Sequence, residues 1–553
     1  MAELLQKVGF KYEHEPEVSH PVAGKVTGKI PAYVRGSLYR NGPGMYEFGG
    51  RSYKHLFDGM ALVQCFCISE KGATYQRRYV QSDSLRRSLS ANAPVTSQFG
   101  TSEIPDPCKN IFQRYLTYFT SAPISDNTQV NVFPFNAGLY TSSETQYWNR
   151  LDPVTLETKE KVDLLDVGAI NLATAHPHID TDGTLFNVCH VFGKGLPTAV
   201  LKIPPKTDTS KCVGSMPKGG PLCRLDSPWK AHVHYHHSFC MTQSYIILIN
   251  QPLLWNVPRL AFRKFTGDNP CSALRWFPEG TCRFRIIDKA TGNEVHPDRK
   301  FEADAFFTFH TVNAYEDNGH IVLDAVCYKD AGIIDALYLK NLTSDVIEET
   351  FKRLDKPKIR RYVIPLNVDK PQSTDPSKED FVNLKGIRAT CKKTADHTFL
   401  CSPDVISDVS VEFPQINYNV HNGRMYRYMY GVGIHDDTTG LNSLIKFDMQ
   451  TGKHITWRES GCYQSEPVFI ANSETNTGQE ASAELEDNGI LLSAVNKRLP
   501  DGGSECFLLL LDAVNMTEVA RVEFPGVANF PTDFHGSFAS EAWTNKAASL
   551  DAQ

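Results

Sequence analysis

The 553-residue chain carries 57 Lys and Arg against 63 Asp and Glu, a net charge of −6, with its basic residues scattered rather than massed. That balance argues against a nucleic-acid surface, and no apolar run reaches the roughly 18 residues needed to cross a bilayer. Residues 1–9 lack the apolar core of a signal peptide, and the 14 cysteines include no CxxC pair and read as reduced thiols, so a cytoplasmic protein is expected.

After Asp106-Pro107, the residues Ile111, Phe112, Tyr115, Leu116 and Phe119 recur at helical spacing, with Lys109 and Arg114 off the stripe. This pattern predicts an amphipathic helix over 110–119. A weak repeat then runs through the chain, an apolar residue followed by Asp and a turn: Leu151-Asp152, Ile287-Asp288, Phe447-Asp448 and Leu511-Asp512. Asp and the Gly that follows in two of the four suit a tight hairpin. The apolar runs at 245–249, 321–326, 490–495 and 507–511 are too short for helices and read as strands. Recurrent hairpins with little helical periodicity predict an all-β chain arranged as a β-propeller, whose blades meet on a central axis. One segment interrupts the pattern. Leu253, Leu254, Trp255, Val257, Leu260, Phe262 and Phe265 alternate with Arg259, Arg263 and Lys264, a composition suited either to a water–lipid interface or to a helix and loop packed on the propeller face. Residues 371–378, rich in Pro and polar groups, read as an exposed loop.

Four of the 18 histidines, His232, His234, His236 and His237, fall within six residues. In a strand His232, His234 and His236 share one face and His237 takes the other, so a ligand could stand on either. Three further stretches offer partners: Ala175-His176-Pro177-His178, Phe307-Thr308-Phe309-His310 and Phe534-His535-Gly536. Each sets a histidine among apolar or turn residues, where an unpaired imidazole is costly. They lie too far apart for a zinc finger or a metal-binding helix and suggest ligands converging on one axis. Imidazole suits iron, copper, zinc or nickel alike.

These histidine stretches are joined by Leu38-Tyr39-Arg40-Asn41-Gly42-Pro43-Gly44, His55-Leu56-Phe57-Asp58-Gly59, Pro105-Asp106-Pro107-Cys108-Lys109-Asn110, Glu412-Phe413-Pro414-Gln415 and Ser465-Glu466-Pro467. Together they resemble the carotenoid cleavage oxygenase family from about residue 10 to residue 537. The resemblance implies a single domain over residues 1–553, a seven-bladed β-propeller with a helix and loop cap, and membrane-facing insertions at about 105–125 and 252–280. It assigns Fe(II) to His176, His237, His310 and His535, choosing His237 over its neighbours, and gives Glu144, Glu412 and Glu466 the task of orienting those rings. His178 takes a structural role, and His236 departs from the family, where that position is usually aromatic or apolar.

The implied chemistry uses molecular oxygen as co-substrate to split one double bond of a carotenoid into two aldehydes. The carotenoid is drawn from a membrane surface through a mouth formed by Ile111, Phe112, Tyr115, Leu116, Phe119, Leu253, Leu254 and Trp255; in relatives the cysteine corresponding to Cys108 can be lipid-modified. Asn171-Leu172-Ala173-Thr174 and the stretch 364–370 look most like animal enzymes that cut β-carotene at its central double bond to retinal, the insect members also isomerising one half. Competing readings are a retinoid isomerohydrolase acting on retinyl esters, an eccentric carotenoid cleaver, and a non-catalytic propeller scaffold.

Overall fold

The computed structural model describes residues 14–105, 107, 124–191, 195–206, 216–343, 346–368, 380–434, 441–472 and 486–551. The Asp repeat marks the ends of interior strands. In all four copies the Asp ends or directly follows a strand and its Oδ1 accepts hydrogen bonds from the backbone N–H groups two and three residues on, as at Asp288 from Ala290 (3.0 Å) and Thr291 (2.7 Å). The fourth residue after each Asp then turns left-handed: Leu156 (φ 59°), Gly292 (74°), Gly452 (70°) and Met516 (60°). Glycine adopts that conformation freely, whereas Leu156 and Met516 hold it against the clash of their own Cβ.

Among the described residues seven sheets have four to six strands. Each packs on the next through its own apolar cluster. Leu139 and Leu151 meet Val63 and Cys65; Trp148 and Val162 meet Leu185 and Leu201; Val188 and Val200 meet Ile246 and Leu248. The series continues with Phe284 and Phe301 on Leu323 and Tyr362, Val322 and Val363 on Met429 and Phe447, and Val432 and Leu444 on Leu491 and Leu509. A seventh cluster joins Leu492 and Leu508 to Phe66 and Tyr75 on the sheet where the series began. Seven sheets and seven inter-sheet cores therefore form a closed ring. The ends of the chain fasten it twice: Gly36–Met45 pairs antiparallel with the last strand, His535–Ser540, and Lys25–Gly28 pairs with Glu518–Glu523. Closure leaves no seam to peel.

Outside the ring lies a smaller three-stranded sheet of His232–His234, Leu253–Asn256 and Leu274–Trp276. The strand Leu253–Asn256 runs directly into the helix Val257–Thr266, capped by the Asn256 side chain accepting from the Arg259 N–H and ended by Gly267 at φ 72°. This corrects the expected membrane contacts at Leu253, Leu254 and Trp255, which are only 3, 3 and 6% exposed. As strand residues between two neighbours all three are covered, and Leu253 and Trp255 pack with Val233, Phe307 and Phe309. The outward apolar groups are one turn and more further along, Phe262 and Phe265, at 60 and 61%. Cys108 and the stripe Ile111, Phe112, Tyr115, Leu116 and Phe119 lie outside the described residues. No helix among the described residues is long and apolar enough to cross a membrane. The described cysteines are all free, most of them buried.

Candidate metal centre

Four of the seven sheets each contribute one histidine to the centre of the ring. His176 precedes the strand His178–Ile179, His237 precedes Cys240–Met241, His310 precedes Thr311–Asp317, and His535 opens His535–Ser540. Their donor nitrogens all lie within 4.8 Å of one another. The remaining three sheets each supply a carboxylate: Glu144 follows the strand Gly138–Ser142, Glu412 lies in Ser410–Gln415, and Glu466 follows Cys462–Gln464. One side chain per sheet thus makes the whole centre.

The carboxylates fix the rings. Glu144 accepts from His237 Nδ1 at 2.5 Å, Glu412 from His310 Nδ1 at 2.7 Å, and Glu466 from His535 Nδ1 at 2.9 Å. With Nδ1–H committed outward, each Nε2 presents its lone pair inward. His176 and His237 bring their Nε2 atoms to 3.0 Å, and His310 and His535 theirs to 3.2 Å. For the second pair no proton remains to be shared, so two lone pairs face each other, which is repulsive unless a cation lies between them. Two ligands at right angles, each about 2.1 Å from one ion, stand about 3 Å apart, so the spacing fits a shared metal. Among the described residues no carboxylate reaches His176.

Electrostatics agree. Burial, with the neighbouring imidazoles adding to it, holds His176 and His535 well below the usual imidazole range, and burial lowers His237 despite Glu144, so these rings stay neutral donors. Burial pushes the Glu412 carboxyl upward, yet His310, the Tyr328 hydroxyl and the Phe413 N–H together hold it below its ordinary value. Glu466 shares the fully buried Arg40 with Asp533, the guanidinium donating at 2.8 Å to one and 2.6 Å to the other. Around the four imidazoles stand four carboxylates and one guanidinium, an acidic surround that suits a cation.

Arg40 was readable, since it lies in the Leu38–Gly44 motif, but nothing in the sequence links it to Glu466. Tyr235 and Tyr328 carry no such signal; their hydroxyls donate to Glu144 at 2.7 Å and Glu412 at 2.6 Å. His178 is held by the Tyr418 hydroxyl (2.8 Å) and the Phe239 carbonyl (3.1 Å). His236 turns away from the centre to Asn250 at 3.0 Å, and His234 to the Gln251 carbonyl at 2.9 Å.

A cavity of about 710 Å³ opens beside the histidines, lined by Phe57, Phe99, Trp255, Phe309, Phe413 and Phe534 among others. Phe413 is held at φ 55°, a left-handed conformation that a bulky residue adopts only under constraint. The strand register slips between Glu412 and Gln415 at this point, which lets Glu412 bind His310 while the Phe413 ring lies 5.5 Å from His310 and 5.4 Å from His535. Leu260 and Arg263 of the helix Val257–Thr266 also line the cavity.

The chain matches the family model described as retinal pigment epithelial membrane protein over residues 11–540. It is 36% identical over 536 residues to the mitochondrial carotenoid-cleaving dioxygenase of Pongo abelii, covering 94% of this chain and 92% of that protein. It is 35% identical over 551 residues to the beta,beta-carotene 15,15′-dioxygenase of Mus musculus, covering 98% and 93%. Among solved structures, a variant of the Synechocystis apocarotenoid oxygenase is similar with a TM-score of 0.74 at 22% identity, over 98% of this chain and 99% of that one.

Proposed function

The chain belongs to the retinal pigment epithelial membrane protein family, and from that premise and the four-histidine centre we propose that it is an Fe(II)-dependent oxygenase cleaving carotenoids with molecular oxygen. The observation that carries this reading is the ring of inward Nε2 atoms braced by three carboxylates, in a chain similar along almost its whole length to two carotenoid dioxygenases. The closed series of seven sheets supports reading the fold as one seven-bladed propeller capped over the metal face, with the cap built from about 105–125 and 252–280.

An iron bound at the histidines supplies open coordination positions and electrons for dioxygen. The protein does the rest. Glu144, Glu412 and Glu466 keep the three Nδ1 protons outward and so hold the lone pairs on the ion. Phe309 and Phe413 flank the rings and exclude water, and the aromatic walls align a rigid polyene so that one double bond lies at the metal. The balance is simple: one C=C bond and one O2 give two aldehydes.

Among the bonds available we favour the central one, 15,15′ in the numbering of the mouse relative's name, giving retinal-type products with a cis isomer among them; eccentric cleavage, as a relative of the broader carotenoid-cleaving type suggests, is the second reading. A retinoid isomerohydrolase would use the same centre without oxygen. The test is product analysis after incubating the iron-loaded protein with β-carotene under air. Retinal alone supports central cleavage, a shorter ketone with a longer apocarotenal supports eccentric cleavage, and retinol formed from retinyl ester without oxygen uptake supports the isomerohydrolase.

Delivery from the cytoplasmic surface of a membrane completes the proposal. Leu260 and Arg263 face the cavity while Phe262 and Phe265 on the same helix face out, which supports a mouth dipping into one leaflet. Wild-type protein should sediment with liposomes in high salt, and replacing both phenylalanines with Ser should release it.

A further inference from the structure

Two thiols that the metal chemistry does not use stand sulfur to sulfur at the edge of one sheet. The hairpin of Thr390–Ala395 and Thr398–Ser402 extends the sheet of Cys240–Met241 through parallel pairing with Lys300–Asp304, and Thr390–Ala395 is its outermost strand. Within the hairpin Cys391 is directly opposite Cys401. Both are fully buried, and the Cys401 thiol donates to Cys391 Sγ at 3.5 Å.

The backbone decides what kind of pair this is. Cys391 N–H donates to Asp380 Oδ1 at 2.9 Å, and its carbonyl accepts from the Phe381 N–H at 2.9 Å. Both groups therefore point away from Cys401, and the two cysteines occupy a non-hydrogen-bonded position of the ladder, where facing Cα atoms are about 4.5 Å apart. That separation falls within the roughly 4.4–6.8 Å that a disulfide spans. Bringing the sulfurs from 3.5 Å to a bond of about 2.04 Å is within reach of rotation about the two Cα–Cβ bonds.

Access comes through the strand. After Cys391, the residues Lys392, Lys393, Thr394 and Ala395 are all exposed, and the register slips between Lys393 and Ala395. Among the described residues only the isolated bridge between Asp380 and Lys392 pairs with its outer edge. An edge strand so placed opens locally while the rest of the sheet stays formed. In the closed hairpin, the contact with Cys391 and then burial hold the Cys401 thiol well above its ordinary range, which keeps it unreactive. Opening removes both.

We propose that Cys391 and Cys401 are an oxidisable dithiol, converted by a peroxide to a disulfide that fastens the outermost strand to its sheet and returned to thiols by a dithiol reductant. A thiolate attacks one oxygen of hydrogen peroxide, the O–O bond breaks, and the hydroxide that leaves takes up the thiol's proton as water. The second sulfur then attacks the sulfenic acid so formed: the S–S bond forms, the S–O bond breaks, and the hydroxyl departs with the second thiol's proton as another water. The two sulfurs together lose the two electrons that the peroxide gains.

The test treats the full chain with hydrogen peroxide at a concentration that converts the exposed Cys67 to sulfenic acid, alkylates the remaining thiols in denaturant, and maps the products by mass spectrometry. The expected product is a pair of tryptic peptides carrying Cys391 and Cys401 joined through sulfur, with the buried Cys282 and Cys327 recovered as alkylated thiols. Limited trypsin digestion of the folded protein gives the second reading. Cleavage after Lys392 and Lys393 should slow by about tenfold or more in the oxidised chain and recover on adding dithiothreitol. Cys391→Ala should show neither the linked peptide nor the slowing; if that variant does not fold, the gain and loss of protection in the wild type carries the test. Oxidation of Cys67 with Cys391 and Cys401 recovered as thiols or as sulfinic acids overturns the proposal. So does a linked pair that is digested as fast as the reduced chain, or slowing that persists in Cys391→Ala.

Discussion

Two sets of buried histidines do opposite jobs in this molecule, and what separates them is the partner on the ring. His237, His310 and His535 each give Nδ1–H to a carboxylate. His55, His178, His234 and His236 instead bond the Ile334 carbonyl, the Phe239 carbonyl, the Gln251 carbonyl and the Asn250 amide oxygen. Burial lowers His237 and His535 in the first set as it lowers the second, His55 and His178 to about 4. Burial therefore does not mark a ligand. A buried carboxylate beside a neutral imidazole does, since that negative charge is stable only where a positive one is shared nearby.

The comparison breaks most sharply at the ligands. His310→Ala should leave no detectable iron and no cleavage while keeping a β-rich circular dichroism spectrum; full activity in this variant removes His310 from the centre. The carboxylates come next. Glu412→Gln keeps an oxygen for His310 but loses the charge, and iron affinity by competition with a chelator should drop about 10- to 100-fold. Affinity equal to wild type would mean that Glu412 serves only packing.

The second set should show itself in acid stability. His55 accepts from the Phe57 N–H at Nδ1 and donates to Ile334 at Nε2, so it has no place for a second proton, and its pKa is depressed from 6.5 to about 4. The unfolded chain then binds the extra proton first, and the stability that His55 supplies is complete above pH 6.5 and lost as the pH falls toward 4. At pH 5 the loss is about 2 kcal/mol for this group. Apparent unfolding free energies in urea, compared at pH 7.5 and 5, should differ less for His55→Gln than for wild type by about that amount. The smallest effect belongs to His236, whose Nδ1 is buried without a partner. His236→Phe frees only the Asn250 oxygen, and should cost about 1 kcal/mol with iron content unchanged; loss of iron would place His236 with the first set.

Much of this was legible. The four Asp turns sit where the repeat put them, because an Asp side chain closes its own turn with atoms no more than three residues away. The four histidines that come together are those in the family-matching stretches, and the three glutamates that orient them were in matching stretches too. What misled was Leu253, Leu254 and Trp255: composition marks an apolar, basic segment, but a segment that starts as a strand and ends as a helix divides its apolar residues between the core and the surface, and composition does not say which half goes where.

By itself the sequence determined what is local or patterned: strand alternation, hairpin chemistry, the residue types a metal needs and their arrangement in separate short runs. The tertiary structure alone decided that Glu144 braces His237 across the sheet of His176, that Arg40 ties Glu466 to Asp533, and that the Tyr235 and Tyr328 hydroxyls reach Glu144 and Glu412. Each depends on which sheets stand side by side once the ring closes, and the packing of seven inter-sheet cores carries that information in no single stretch of chain.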